Sequence, residues 1–438
     1  MQLTIYRGTK EVGGTMIEIK SKKNRILLDA GYPLFLNGEV IDEALVKRPY
    51  QELLELGVIP KVKGLYRWDT PTFDGVLISH AHSDHFGLLK FIHPDIPIYL
   101  TETTDKLIEM NLTFPIPDYS HRKRITVQMY EPFCVGDIWI KPYRMDHSAF
   151  QAAAFEIKCE GKRILYTGDF RGHGRRGEYL ERFLKEAEMD PDLLLIEGTT
   201  LGRTGEAERT EEELEAEFKQ VIVNQQGTEE SGGIVLCQPT SQNIDRVISF
   251  YKAAKACGKI FVMDIYTANL LYELKKLGNN DLPVPSLWRP DIRVFYPMLL
   301  TKKMEKLLGK KYSKRFRAYG ISGKGIHRKQ KEIVMLVRPS MLADLKLMRL
   351  KNGTLIFSQW QVYRDKPYQL RLEEYLKSRG FTDCYLHTSG HAFEEDINKV
   401  IKGLSPKEIV PIHSFCPEEF AKLHKNVTLR QDGIPFEL

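Results

Sequence analysis

The chain has 438 residues, 42% apolar and 28% charged, which is material for two or three domains with packed cores. Its purely apolar runs are as short as Leu193–Ile196, so a bilayer-spanning helix is excluded, as are collagen, coiled coil and a disordered chain. The net charge of +6 is mild, yet between Lys302 and Lys331 twelve Lys or Arg face one acid, Glu305, a concentration that calls for a polyanionic partner.

In chain order, the opening MQLTIYRGTKEVGG lacks the cationic head and apolar centre of an export signal. Six cysteines are scattered without a CxxC pair, which fits a reducing, cytoplasmic setting. Four short apolar runs then read as buried strands: Arg25–Asp29, Gly75–Ser79, Arg163–Thr167 and Asp192–Glu197. Each ends in a polar or ionisable residue, the layout of an α/β protein whose chemistry sits where strand ends meet loops.

The phrasing changes near residue 200. Thr210 and Glu213 form a capping box that opens an acidic helix. Gly233–Cys237, a helix near Asn243–Ala256 and Lys259–Met263 then read as a separate β-α-β unit, and the strand Glu332–Val337 follows the basic segment. Thr354–Ser358, a helix near Leu370–Ser378, Asp383–His387 and Ile409–Ile412 resume the earlier style. The expected organisation is one domain interrupted by another, 1–203 with 351–438 around an insert 204–350.

The densest chemistry is His80-Ala81-His82-Ser83-Asp84-His85, directly after the strand GVLIS. Three imidazoles crowded together would repel once protonated, and a divalent ion removes that problem by binding each in its neutral form. In a turning backbone His80 and His82 share one face while Asp84 and His85 turn toward another, so the motif can serve two ions. His147, Asp169 and His413 follow at further strand ends. A carboxylate such as Asp169 can bridge two cations, and two metals roughly 3.5–4 Å apart can activate a water and stabilise charge on a phosphoryl oxygen.

HAHSDH, with Asp29 in LLDAG, His147, and Asp169 in TGD, resembles the metallo-β-lactamase fold of binuclear zinc hydrolases, an α/β αββα sandwich. The insert resembles the β-CASP cap of the nucleic-acid-processing branch, with Glu197, His391 and His413 at its three additional motifs and Pro239-Thr240-Ser241-Gln242-Asn243 opening its first helix. The resemblance implies two Zn2+ ions, with Mn2+ or Mg2+ as alternatives. One would be held by His80, His82 and His147, the other by Asp84, His85 and His413, with Asp169 bridging and Asp29 orienting the ligands from behind. It implies Asp84, His391 and Glu197 as the catalytic groups, His391 protonating the leaving oxygen while Glu197 holds it. Ser148, Thr388 and Ser389 would hold substrate phosphate. One departure stands out: His413-Ser414-Phe415 replaces the usual His-Gly-Glu of the ribonuclease J-type relatives.

A histidine at position 413 is typical of the RNA-processing members. The basic segment agrees, since Lys310, Lys311, Lys314, Arg315 and Arg317 interleave with Tyr312, Phe316 and Tyr319, suited to phosphates and stacked bases. Arg171–Arg176 and His121–Arg124 are expected to add charge near the site. The expected activity is a zinc-dependent ribonuclease acting on single-stranded RNA, with no membrane partner; a homodimer is compatible. The alternatives are a DNA nuclease of the same family, a small-ester or thioester hydrolase, and a non-catalytic scaffold. His387, His173 and His424 are expected to be structural.

Overall fold

The computed structural model describes residues 1–41, 44–203, 208–225, 233–240, 242–279 and 281–438. Ser241 and the expected first seam at residues 203–204 fall on or against residues outside this set. The chain forms two compact units, residues 1–205 with 390–438 and residues 206–389.

The first unit is built on two sheets. One runs in the order Phe436–Glu437, Gln2–Arg7, Met16–Lys20, Arg25–Leu28, Gly75–Leu77, Ile98–Leu100, Arg124–Thr126. The other runs Ile409–Ile412, Leu193–Glu197, Lys162–Tyr166, Ala152–Cys159, Ile138–Met145, Phe133–Val135. Alternation along the strands sends one set of side chains to the inter-sheet core, where Ile17, Ile19, Ile26 and Leu28 meet Ile140, Phe155, Ile157, Ile164 and Leu195. Each is almost fully buried, which stabilises the fold by about 1.5–3 kcal/mol per side chain. Alternate residues Leu165, Leu194 and Ile196 point the other way, onto Leu180 and Phe183 of the helix Glu178–Glu186 and Ile397, Val400 and Ile401 of the helix Glu394–Leu404. Those helices are apolar on one face only, which is why they lie as an outer layer of the αββα sandwich.

Both sheets change character along their width, antiparallel at one side and parallel at the other. The parallel strands Gly75–Leu77, Lys162–Tyr166, Leu193–Glu197 and Ile409–Ile412 therefore deliver the residues that follow them as loops at their carboxyl ends.

The second unit is one wholly parallel sheet in the order Ile292–Phe295, Ile260–Asp264, Ile333–Leu336, Val235–Gln238, Thr354–Phe357, Thr382–Tyr385. Its central strands are apolar on both faces because helices cover both. The capping box of Thr210 and Glu213 opens the helix Glu211–Asn224, whose Glu211 is completely buried. Glu211 pairs there with Arg246, also completely buried, at 3.0 Å, and Arg246 further donates to Ser358 Oγ at 2.6 Å and to the Thr388 carbonyl at 3.1 Å.

The second seam departs from expectation. Residues 351–389 belong to the second unit, because Thr354–Phe357 and Thr382–Tyr385 hydrogen-bond in parallel register beside Val235–Gln238. The boundary is at 389–390, not near 350. Strand style does not reveal which sheet a strand joins, since Val235–Gln238, the partner that draws Thr354–Phe357 into this sheet, lies more than a hundred residues upstream.

Candidate metal centre

The HAHSDH motif changes conformation midway. His82 is extended (φ −81°, ψ 145°) and caps the short helix Ser83–Phe86, so His80 and His82 lie on a turn while Asp84 and His85 lie on the first helical turn. Gly31 permits this packing: a Cβ there would stand 1.8 Å from the Asp84 carbonyl oxygen. His147 follows the strand Ile138–Met145, Asp169 follows Lys162–Tyr166 and His413 follows Ile409–Ile412.

Three ligand-bearing groups result, each with donor atoms within 4.8 Å of one another: His80, His82 and His147; Asp84, His85, Asp169 and His413; and Asp169, Glu197, His391 and His413. His147 Nε2 lies 3.1 Å from His82 Nδ1, His85 Nε2 lies 3.0 Å from Asp169 Oδ2, and His413 Nε2 lies 3.3 Å from Asp84 Oδ2. All these side chains are buried or nearly so.

Electrostatics divides the histidines. Burial, then the neighbouring imidazoles His85 and His147, holds His80 well below the usual histidine range, and burial with its imidazole neighbours does the same to His147. Burial brings His82 down to about 4. His85 moves the other way: burial opposes its charge, but the Asp169 and Asp29 carboxylates outweigh burial and raise it. Burial would raise Asp84, but the hydrogen bond to His413 and the nearby imidazoles win and bring it down to about 2. Asp169 is likewise held well below the usual carboxylate range against burial, by His413, His85 and His391.

The residues fit a divalent metal. His80 Nε2, His147 Nδ1 and Asp169 Oδ1 are buried with no hydrogen-bond partner, an arrangement that costs about 1–3 kcal/mol per atom unless something else binds there. Neutral imidazoles with ionised carboxylates are a zinc-type donor set.

A supporting layer sits behind. Asp29 adopts φ 57°, and its Oδ2 accepts from His85 Nδ1 at 2.7 Å and from the Ser79 hydroxyl at 2.7 Å, while Tyr166 donates to the same oxygen. Fixing Nδ1 of His85 in this way presents its Nε2 toward Asp169. Thr199 Oγ1 does the same for His413, 2.8 Å from Nδ1. Thr199 was not among the expected site residues; only its place after Glu197 hinted at it.

His391 Nδ1 lies 3.1 and 3.2 Å from the two Glu197 oxygens. The carboxylate is anchored by the backbone N–H groups of Phe170 (2.9 Å) and Thr199 (3.3 Å). Burial disfavours charge on His391, but Glu197 and Asp169 override it and raise its pKa. Ser148 stands beside this histidine's loop, where a Cβ on Gly390 would meet Ser148 Oγ at 2.3 Å. Thr388 and Ser389 belong to the second unit, where the Thr388 hydroxyl donates to the Arg209 carbonyl at 2.6 Å.

Several charged residues have other employment. Arg171 is completely buried with its Nε 3.5 Å from Asp146, so it supports the site's wall and does not line a groove. Arg122 is buried on the carbonyls of Ile92 and His93, and Arg124 pairs with Asp105 at 2.8 Å. In the basic segment Tyr312 and Phe316 are buried, Phe316 against Tyr272, so they are core and not a stacking platform. Arg315 pairs with Glu273 at 2.6 Å and donates to Asn269 at 2.8 Å. Lys310, Lys311, Lys314 and Arg317 remain exposed. His173 stacks on Phe393 and His424 is 2.8 Å from Asn398 Oδ1, both structural. In the second unit His387 Nδ1 lies 3.2 Å from Arg246 Nη1.

Residues 24–216 match the family described as "Beta-lactamase superfamily domain", and residues 384–423 match the one described as "Zn-dependent metallo-hydrolase RNA specificity domain". Residues 24–216 thus carry a domain of the β-lactamase superfamily. The chain is 23% identical over 426 residues to "Ribonuclease J" of Helicobacter pylori (strain ATCC 700392 / 26695), covering 94% of this chain and 56% of that protein. It thus spans little more than half the length of that relative. To "Ribonuclease J" of Pyrococcus abyssi (strain GE5 / Orsay) it is 24% identical over 468 residues, covering 98% of this chain and 96% of that one. A crystal structure of a protein of unknown function from Enterococcus faecalis V583 superposes with a TM-score of 0.78 at 22% identity, over 100% of this chain and 99% of that chain, and shows the same fold. Among the described residues no helix is long and apolar enough to cross a membrane.

Proposed function

We propose that this chain is a zinc-dependent ribonuclease that hydrolyses phosphodiester bonds of single-stranded RNA with two bound metal ions. The observation that carries the reading is the two adjoining donor sets, His80, His82 and His147 beside Asp84, His85, Asp169 and His413, with Asp169 Oδ2 3.7 Å from His80 Nε2 and with buried ligand atoms that have no hydrogen-bond partner within the protein. His80, His82 and His147 would hold one ion; Asp84, His85 and His413 the other; Asp169 both. Such a pair supplies a water deprotonated near neutral pH and offsets charge developing on phosphoryl oxygens.

The chain's own residues supply the rest. Asp29 and Thr199 hold the rings of His85 and His413 so that each Nε2 faces a carboxylate. Glu197 accepts the Nδ1 proton of His391, which leaves the opposite nitrogen of a protonated ring to donate to the leaving oxygen. RNA as the polymer is supported by the match of residues 384–423 to the RNA-specificity family and by the ribonuclease relatives. Exposed Lys310, Lys311, Lys314 and Arg317 suit binding to backbone phosphates.

The test is cleavage of matched single-stranded RNA and DNA carrying 5′-monophosphate or 5′-hydroxyl ends, with and without chelator. Chelator-sensitive loss of RNA with DNA spared is the expected result. Equal cleavage of both would move the reading to a general nuclease, and no cleavage by zinc-loaded protein would overturn it.

A further inference from the structure

His413 and Asp84 face each other at 3.3 Å in the second donor set, and the segments around them bring an aromatic pair to its edge. Phe415 lies two residues beyond His413 and is 42% exposed, whereas Ser414 between them is completely buried. The His413 N–H donates to the Gly8 carbonyl at 2.7 Å and the Cys416 N–H to Ser414 Oγ at 3.2 Å, so the turn that presents Phe415 is held on both sides.

Phe35 arrives from another segment. It opens a short hairpin, Phe35–Leu36 with Glu39–Val40, closed by the Ile41 N–H on the Leu34 carbonyl at 2.9 Å. That hairpin is tied to the HAHSDH helix: the Tyr32 N–H donates to the Ser83 carbonyl at 2.9 Å, and Pro33 bridges to Gly13. Gly13 stands against both Leu34 and Asp84, for a Cβ there would meet Leu34 Cγ at 2.6 Å and Asp84 Cβ at 3.2 Å. The Phe35 and Phe415 rings meet edge to face, with 5.1 Å between centroids and 78° between planes.

Single exposed apolar residues are ordinary on a protein surface. Phe415 is set apart by its place, two residues from a candidate metal ligand, and by the second ring that fixes its orientation while part of its own surface stays open to solvent. We infer that Phe415, held by Phe35, stacks on an unpaired base of the RNA strand next to the scissile phosphate. The inference rests on the ribonuclease reading of the metal centre and adds to it the subsite that receives a base. Such stacking tolerates every base, because each has a π face, and it needs the base out of a duplex, which fits a single-stranded substrate.

The test uses the zinc-loaded full chain and single-stranded RNA oligomers of one sequence. In these a single abasic residue occupies, in turn, each position around the mapped cleavage site. In the wild type, one position beside the scissile bond should lower kcat/KM about tenfold when its base is missing, with the others changing little. Phe415→Leu keeps an apolar side chain without the ring. Its kcat/KM on intact RNA should fall about tenfold, and the penalty at that position should vanish. Phe415→Trp should retain the penalty, since its ring also stacks. A pair that only supports the fold would lower the rate in Phe415→Leu and leave the abasic penalty in place; that result overturns the inference and leaves the ribonuclease reading standing. The same holds for a wild type in which no abasic position matters. A wild type that cleaves no RNA overturns the ribonuclease reading itself, and the base subsite with it.

Discussion

His391 Nδ1 lies 3.1 Å from a Glu197 carboxylate oxygen, although the two residues are separated by 194 positions and by the whole second unit. Glu197 is completely buried and anchored by two backbone N–H groups, so it cannot swing away from the imidazole. If His391 delivers a proton, Glu197→Gln removes the charge that keeps the ring loaded while preserving shape. The expected outcome is a loss in kcat of about a hundredfold or more, with RNA affinity nearly unchanged. Combining it with His391→Ala should cost little beyond the single change, because the two act as one unit. Single-turnover kinetics with separate binding titrations would check this, and independent, multiplying losses would refute the pairing.

Metal content tests the two donor sets separately. Asp84→Ala and His80→Ala each remove one candidate ligand from one set only, so native mass spectrometry should find about one ion in each variant and two in the wild type. Chelation of the wild type should lower its unfolding temperature, since a ligand at a hundred times its Kd stabilises the folded state by about 2.7 kcal/mol. A chelator-indifferent unfolding temperature would count against structural occupancy of either set.

In the second unit, the ion pair Arg246–Glu211 is completely buried on both sides. Arg246→Met leaves the Glu211 carboxylate buried without its cation, and should destabilise that unit by about 3–5 kcal/mol in urea unfolding. The double change Arg246→Met with Glu211→Leu should recover much of the loss, because no charge then remains buried. A double variant as unstable as the single would show that packing, not charge, dominates.

The basic segment should divide by partner. Replacing Lys310, Lys311 and Lys314 with Ala should reduce the slope of log K against log salt by about 0.7 for each phosphate no longer neutralised, with little effect on stability. Arg315→Ala should instead lower the melting temperature, since its guanidinium holds Glu273 and Asn269. An unchanged salt slope in the triple variant would show that those lysines are only a solvated face.

Ser414→Gly probes the departure from His-Gly-Glu. Ser414 is completely buried and its φ is not positive, whereas His413 itself takes φ 50°. The backbone at 414 does not need glycine here. Ser414→Gly should therefore cost about 0.5–1 kcal/mol through chain entropy and leave metal content unchanged. A gain in metal affinity would show that the serine strains the His413 loop.

Much of the site was legible in the chain because its signals are local. HAHSDH packs three imidazoles and a carboxylate into six residues after an apolar strand, and Thr210 with Glu213 writes a helix start within four. The apolar runs at Leu193–Glu197 and Ile409–Ile412 form strands because the runs are buried on both faces. Other features were invisible. Tyr312 and Phe316 alternate with cations in sequence, yet a helical turn rotates them inward and leaves the lysines outside. Arg171 stands in a run of surface-type residues but lies in the core on Asp146.

By itself the sequence determined which side chains can bind metal, where strands and helices begin, and where positive charge is concentrated, because each depends on residues within a few positions. The tertiary structure decided the rest: that Thr354–Phe357 and Thr382–Tyr385 join the second unit's sheet, that Thr199 fixes the ring of His413, and that Arg246 meets Glu211. Those outcomes depend on strand pairing and burial between segments far apart in the chain, where hydrogen-bond register and desolvation set the energy and local pattern does not.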